Sequence, residues 1–242
     1  MITIHRHAGT CTLTLARPDR ANALTADLVE ALLAETTRAC ADAAVHTLVL
    51  AAEGRHFCTG LDLSDLESQS DAELLHRLVR IETLLSLLWH APIRSVALAQ
   101  GRAWGAGADL FAACEHRLVA EDTTLRFPGA QFGVVLGTRR LAQRVGSDAA
   151  RGWVLNGTEL DATQALGCGL ASGRRAALPA EPDWPAPAVG AGTARAIRAV
   201  TQADHRDADL AALVRSAAEP GLKNRIRAYR EQMARAVRPT DA

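Results

Sequence analysis

The sequence predicts an α/β protein: parallel strands joined by crossover helices, with helices alone at the C-terminal end. Three observations carry this. Apolar strand-like runs alternate with amphipathic helical stretches through residues 1–175. A stretch with four prolines, LPAEPDWPAPAVG, then breaks the alternation, so residues 176–192 read as a connection. Only helical patterns follow, over residues 193–242.

Each element has its own signal. ITIHRHAGTCTLTLAR alternates apolar and polar residues around Ala8-Gly9-Thr10, which predicts a β-hairpin. NALTADLVEALLAETTRACAD has helical spacing, with Thr25 as N-cap. HTLVLAAEG is a buried strand ending in glycine, and SDAELLHRLVRIETLLSLLWHA is a long helix stopped before Pro92. IRSVALAQG is another strand, and HRLVAEDTTLRFPG supplies one or two more. GTRRLAQRVGSDAARGWVLNG reads as helix, and DATQALGCGLAS as a short helix closed by glycine. TARAIRAVTQ, DADLAALVRSAAE and GLKNRIRAYREQMARAV give two or three helices at the end.

Composition excludes several functions. The chain has 27 basic and 27 acidic side chains, so a broad nucleic-acid footprint is not expected. No apolar run is long enough to span a bilayer, and the N-terminus lacks a signal-like core. Cys11, Cys40, Cys58, Cys114 and Cys168 are odd in number, scattered and without a C-x-x-C pair, which fits reduced thiols in the cytoplasm. His5 and His7 share a strand face, but no third ligand accompanies them, so no metal site is expected. Lys223 is the only lysine and lies in a polar C-terminal segment, which argues against Schiff-base chemistry.

Two strand-to-glycine junctions are the candidate site. HTLVLAAEGRHFCTGLDL runs into Gly60, and IRSVALAQGRAWGAGADL runs into Gly101, Gly105 and Gly107 before a helix. Strand C-termini and helix N-termini offer backbone N–H groups with no partner of their own. Two such junctions, brought together, would aim two donors at one oxygen, as an oxyanion hole does. Glycines are equally what tight strand-to-helix turns require. A dinucleotide fingerprint fails because Leu110 stands where the third glycine belongs, and neither a P-loop lysine nor a G-x-S-x-G elbow is present.

These residues resemble the enoyl-CoA hydratase/isomerase (crotonase) superfamily. RPDRANALT, HFCTGLDL, QGRAWGAGADLFAACEHRLVAED and LDATQALGCGLAS carry the resemblance, in that order, across Ile2 to Ser172. It implies a spiral of β-β-α units with a helical C-terminal trimerisation region, hence a homotrimer or hexamer. It implies an acyl-CoA thioester as substrate, no resident cofactor, and an enolate held by two backbone N–H groups. By position these belong to Leu61 and Ala106. The implied surroundings of thioester and CoA are Arg20, Ala21, Leu24, Arg55, Gly60, Asp62, Leu63, Trp104, Gly105, Pro128 and Gly129.

The family's hydratases use two carboxylates. One aligns with Asp109, an acid one methylene shorter than the usual glutamate. Asp109 reads as an acid/base, and alternatively as a helix cap or an arginine's partner. The second follows a proline, and here LRFPGAQFG puts Gly129 after Pro128, so that acid is missing. Gln131 is the nearest polar substitute, and an amide cannot act as a base. The expectation is an enzyme that polarises a CoA thioester but hydrates poorly, with isomerisation, decarboxylation and hydrolysis open. The alternative is a family member that binds acyl-CoA without chemistry.

Overall fold

The computed structural model describes residues 1–175 and 184–237. The expected N-terminal hairpin pairs β1 (Ile2–His7) antiparallel with β2 (Thr10–Leu15), through a turn in which Ala8 and Gly9 have positive φ. Helix α1 (Ala26–Ala41) starts where Thr25 accepts a hydrogen bond from the Leu28 N–H at 3.2 Å. Every residue of β3 (Thr47–Ala52) is buried, as a parallel strand covered on both faces requires. Helix α2 (Asp71–Trp89) begins with a capping box of Ser70 and Glu73.

The chain continues through β4 (Arg94–Ala99), β5 (Arg102–Trp104), α3 (Ala106–Ala113), β6 (His116–Val119) and β7 (Thr124–Arg126). Then come α4 (Thr138–Val145), α5 (Ser147–Asn156), β8 (Glu159–Asp161), α6 (Ala162–Gly167) and β9 (Gly173–Arg174). The six-stranded sheet has the order β1-β2-β3-β4-β6-β9, parallel except for the edge hairpin. Its register sets Thr47 opposite Arg94 and Val96 opposite His116. Leu28, Leu32, Leu48, Phe57 and Phe111 lie in the main core beside it.

Three local features differ from the sequence reading. A second sheet, β5-β7-β8, stands apart from the first. Its β5 is three residues long between Gly101 and Gly105, and β8 contains a single buried residue, so neither shows a period. The segment read as one helix is two, because Gly146 has a φ of 86° and ends α4 before α5 starts. HRLVAEDTTLRFPG, read as one or two strands, holds two, β6 and β7, and they belong to different sheets.

Three C-terminal helices follow: α7 (Ala191–Thr201), α8 (Arg206–Ala217) and α9 (Leu222–Val237). Residues 176–183 of the expected connection lie outside the described residues, and 184–190 have no regular secondary structure. Both α8 and α9 pack on α2 of the same chain, where Leu74, Leu78, Leu213, Leu222 and Ile226 form a second core. The Asp71 carboxylate accepts hydrogen bonds from the N–H groups of Gly221, Leu222 and Lys223, which fixes the start of α9. Among the described residues, no helix is long and apolar enough to cross a membrane.

Candidate active site

The segment after β3 runs alongside the start of the glycine run. Phe57 N–H donates to Gln100 O at 2.8 Å, Cys58 N–H to Arg102 O at 3.2 Å, and Trp104 N–H to Cys58 O at 2.9 Å. The two junctions therefore meet. A Cβ on Gly60 would lie 3.0 Å from Trp104 O and 3.1 Å from Ala106 N, and Gly60 has a φ of 89°. A Cβ on Gly107 would lie 2.1 Å from Cys58 O. Both glycines allow close backbone approach, and Gly60 also turns the chain. Among the described residues, neither the Leu61 nor the Ala106 N–H donates a hydrogen bond. Ala106 lies outside the positive-φ set, so its N–H keeps an ordinary helix-start geometry.

A polar network holds the first junction in place. Leu24 N–H donates to Gly60 O at 2.8 Å and Asp62 N–H to Leu24 O at 3.0 Å, a short parallel bridge around Leu61. Asn22 accepts from Arg17 N–H and donates to Glu53 O and His56 O. Arg77 donates to Leu24 O at 3.0 Å and Asp62 O at 2.8 Å. The buried Asp62 carboxylate accepts from Ser64 N–H and from Arg17, each at 2.9 Å. Burial alone would raise its pKa, but these hydrogen bonds outweigh burial and hold it below the ordinary value. Asp62 is thus a clamp behind Leu61 and not part of the cavity wall. Arg77 was legible only as a charge on the buried stripe of α2, between Leu74 and Ile81.

A cavity of about 330 Å³ opens at the joined junctions. Of the residues singled out in the sequence, Gly60, Leu61, Leu63, Trp104, Gly105, Ala106, Asp109, Pro128 and Gly129 line it. Arg20 and Arg55 are exposed and lie outside this lining, as do Ala21, Leu24 and Asp62. The sequence reading missed the opposite wall, formed by Ile226, Tyr229 and Met233 of α9 with Val134 and Leu136. The three α9 residues share one helix face, and the sequence reading took that segment only as a helix. Trp104 is fixed by donating from its indole to Thr124 Oγ1 at 3.0 Å, and the Arg102 guanidinium stacks on its ring at 4.5 Å.

Asp109 faces the cavity from the first turn of α3 and is 7% exposed. Its carboxyl makes no hydrogen bond among the described residues, so it neither caps the helix nor pairs directly with an arginine. Burial pushes its pKa well above the usual carboxylate range; Arg140 opposes this and Glu82 adds to it. Gly129 accepts a hydrogen bond from Val134 N–H at 2.9 Å, and a Cβ on Gly129 would lie 2.9 Å from Val134 O. Gln131 is exposed and accepts from Arg126, away from the cavity. Gly129→Glu is therefore expected to lower the thermal midpoint by several degrees and to add no hydratase activity. Thermal melts and a crotonyl-CoA hydration assay check this, and a stable, hydrating variant would contradict it.

The family model for enoyl-CoA hydratase/isomerase matches residues 5–179. The chain is 35% identical over 196 residues to echA6 of Mycobacterium leprae, named a probable enoyl-CoA hydratase, covering 78% of this chain and 77% of that protein. It is 34% identical over 163 residues to the ethylmalonyl-CoA decarboxylase of Mus musculus, covering 65% of this chain and 50% of that protein. A solved Bordetella parapertussis structure with the same family description superposes with a TM-score of 0.89 at 43% identity, covering 94% of this chain and 97% of that one. Family match, relatives and superposed fold agree with the joined junctions: the chain belongs to the enoyl-CoA hydratase/isomerase family.

Proposed function

We propose that the protein is an acyl-CoA enzyme in which Asp109 gives a proton to a thioester enolate, and that decarboxylation of a carboxyacyl-CoA is its reaction. The observation that carries this is the pairing of two unpartnered N–H groups, Leu61 and Ala106, with one buried, hydrogen-bond-free carboxyl in the same cavity. The thioester oxygen accepts from both N–H groups, and each donor contributes a factor of about 10²–10³ in rate. The carbon–carbon bond to the carboxylate breaks, CO₂ leaves, and the electron pair enters the enolate. Asp109 then transfers its proton to the α-carbon and is reprotonated from solvent. The apolar wall of Val134, Leu136 and Phe127 favours loss of the charged carboxylate as neutral CO₂.

Hydration is disfavoured because it needs a group to activate water as well as a donor, and Gly129 supplies neither. Isomerisation must begin with a base, whereas burial favours the protonated form of Asp109. The name of the mouse relative, ethylmalonyl-CoA decarboxylase, agrees with this choice. CoA enters as part of the substrate, with no resident cofactor, and the exposed Arg20 and Arg55 suit its phosphates. The test is a panel of malonyl-, alkylmalonyl- and enoyl-CoA esters assayed for binding and turnover. CO₂ release from a carboxyacyl ester with negligible hydration supports the reading. Binding without turnover of any ester would favour the second reading, an acyl-CoA-binding member, to which the missing acid at Gly129 points.

A homotrimer, or a dimer of trimers, is the assembly we assign to this chain. Ile197 and Val200 on α7 are 50% and 84% exposed, an apolar face with no cover in one chain. Light scattering is expected to give three or six times 25.7 kDa, and a monomer at micromolar concentration would contradict it. A cytoplasmic setting agrees with the five free cysteines.

A further inference from the structure

We propose that Glu82 and Arg140 act together as positioning residues that keep Asp109 a proton donor: Glu82 occupies the Arg140 guanidinium, which would otherwise turn to the cavity acid. The proposal rests on the reading of Asp109 given above.

Helix α3, which carries Asp109, packs against both α2 and α4. Glu82 comes from α2 and Arg140 from α4. The two Nη groups of Arg140 donate to the two carboxylate oxygens of Glu82 at 2.9 and 2.5 Å, and both side chains are 3% exposed. Asp209 of α8 stands 3.5 Å from the same guanidinium and is itself held by Arg139 at 2.8 Å. The third nitrogen of Arg140, its Nε, is buried without a partner. The guanidinium fork is therefore committed to Glu82, although an acid with no hydrogen bond of its own lies close by.

Gly137 shows how close α4 comes. It opens this helix, and a Cβ there would lie 2.2 Å from Asp109 Oδ1. Arg140 is three residues further, in the first turn. The groups acting on Asp109 are thus Arg140 and the positive end of α4 on one side, and Glu82 of α2 on the other. Asp209 of α8 acts through Arg140.

A buried carboxyl alone stays neutral. An unmatched arginine beside it lowers its pKa by about 1–3 units, enough to convert a donor into a base. Paired with Glu82, Arg140 brings almost no net charge, and Asp109 keeps its proton. Sequence gave no hint of this, because Glu82 and Arg140 are 58 residues apart.

Two single variants should therefore move Asp109 in opposite directions. Glu82→Gln leaves Arg140 charged, with only Asp209, already held by Arg139, beside it, so Asp109 ionises at a pH lower by about 1–3 units. Arg140→Met removes the cation and leaves the Glu82 carboxylate unmatched, so Asp109 ionises at a higher pH. The readout is the infrared band of the protonated Asp109 carboxyl, titrated in the unliganded protein and assigned by subtraction of Asp109→Asn. A merely structural role would not give shifts of opposite sign. Breaking one partner of a buried pair risks unfolding. The double variant Glu82→Leu/Arg140→Met leaves no orphan charge and is expected to keep the Asp109 titration of the wild type. Shifts of the same sign, no shift in either variant, or a displaced Asp109 titration in the double variant would overturn the proposal. Because the band is read without substrate, opposite shifts in a protein that turns over no thioester would uphold the pair's effect and reject the decarboxylase reading alone.

Discussion

Asp109→Asn is expected to cut turnover of a carboxyacyl-CoA by about 10²–10⁴-fold while leaving affinity for the thioester within a few-fold. The amide matches the shape of the protonated carboxyl but has no proton to give to an enolate. Burial favours the neutral form of the wild-type group, so the amide is a close match in charge as well as shape, and stability should change little. The pH dependence has a definite sign. The pKa is raised, so the donor form is present below it, and kcat falls as pH rises through it. A rate that climbs with pH over that window would make Asp109 a base. An Asn variant with wild-type kcat would remove it from the chemistry.

Gly60→Ala is expected to have an effect of similar size by a different route. Gly60 has a φ of 89°, which L side chains rarely adopt. A methyl there would press on Trp104 O at 3.0 Å and Ala106 N at 3.1 Å, the point where the two junctions touch. Pushing the junctions apart misaligns one N–H or both, so kcat should fall about 10²–10³-fold per donor lost. Affinity should weaken as well, unlike in Asp109→Asn. Gly167→Ala is the control: nothing lies within 4 Å of its Cβ position and it sits in helix α6, so activity should be unchanged. Steady-state kinetics on the three variants check this. Equal, small effects at Gly60 and Gly167 would mean that the contact between junctions carries no catalytic weight.

The elements legible in the sequence were those with a long period or a strong punctuation mark. The fully buried β3, the capped α2 and the paired glycine junctions were all readable from residue type alone. The strands β5 and β8 were not, because β5 is enclosed between Gly101 and Gly105 and β8 carries a single buried residue. The site was half legible. Chain-local patterns mark the two glycine junctions, and the family resemblance then assigns Leu61, Ala106 and Asp109 beside them. The clamp of Arg17, Asp62 and Arg77, the pair Glu82–Arg140 and the wall from α9 join residues far apart in the chain. Their signals were a charge on an apolar stripe or an apolar face on a polar helix, and neither names its partner. Asp62 illustrates the limit: the resemblance put it around the thioester, whereas its hydrogen bonds from Ser64 N–H and Arg17 make it brace Leu61 from behind.

The most direct test of the account is a crystal structure of the Asp109→Asn protein with an acyl-CoA bound. The account predicts the thioester oxygen within about 3 Å of both Leu61 N and Ala106 N, with the α-carbon facing residue 109 and the acyl group against Val134 and Leu136. A thioester oxygen held by any other donor, or an acyl group lying outside this cavity, would contradict it.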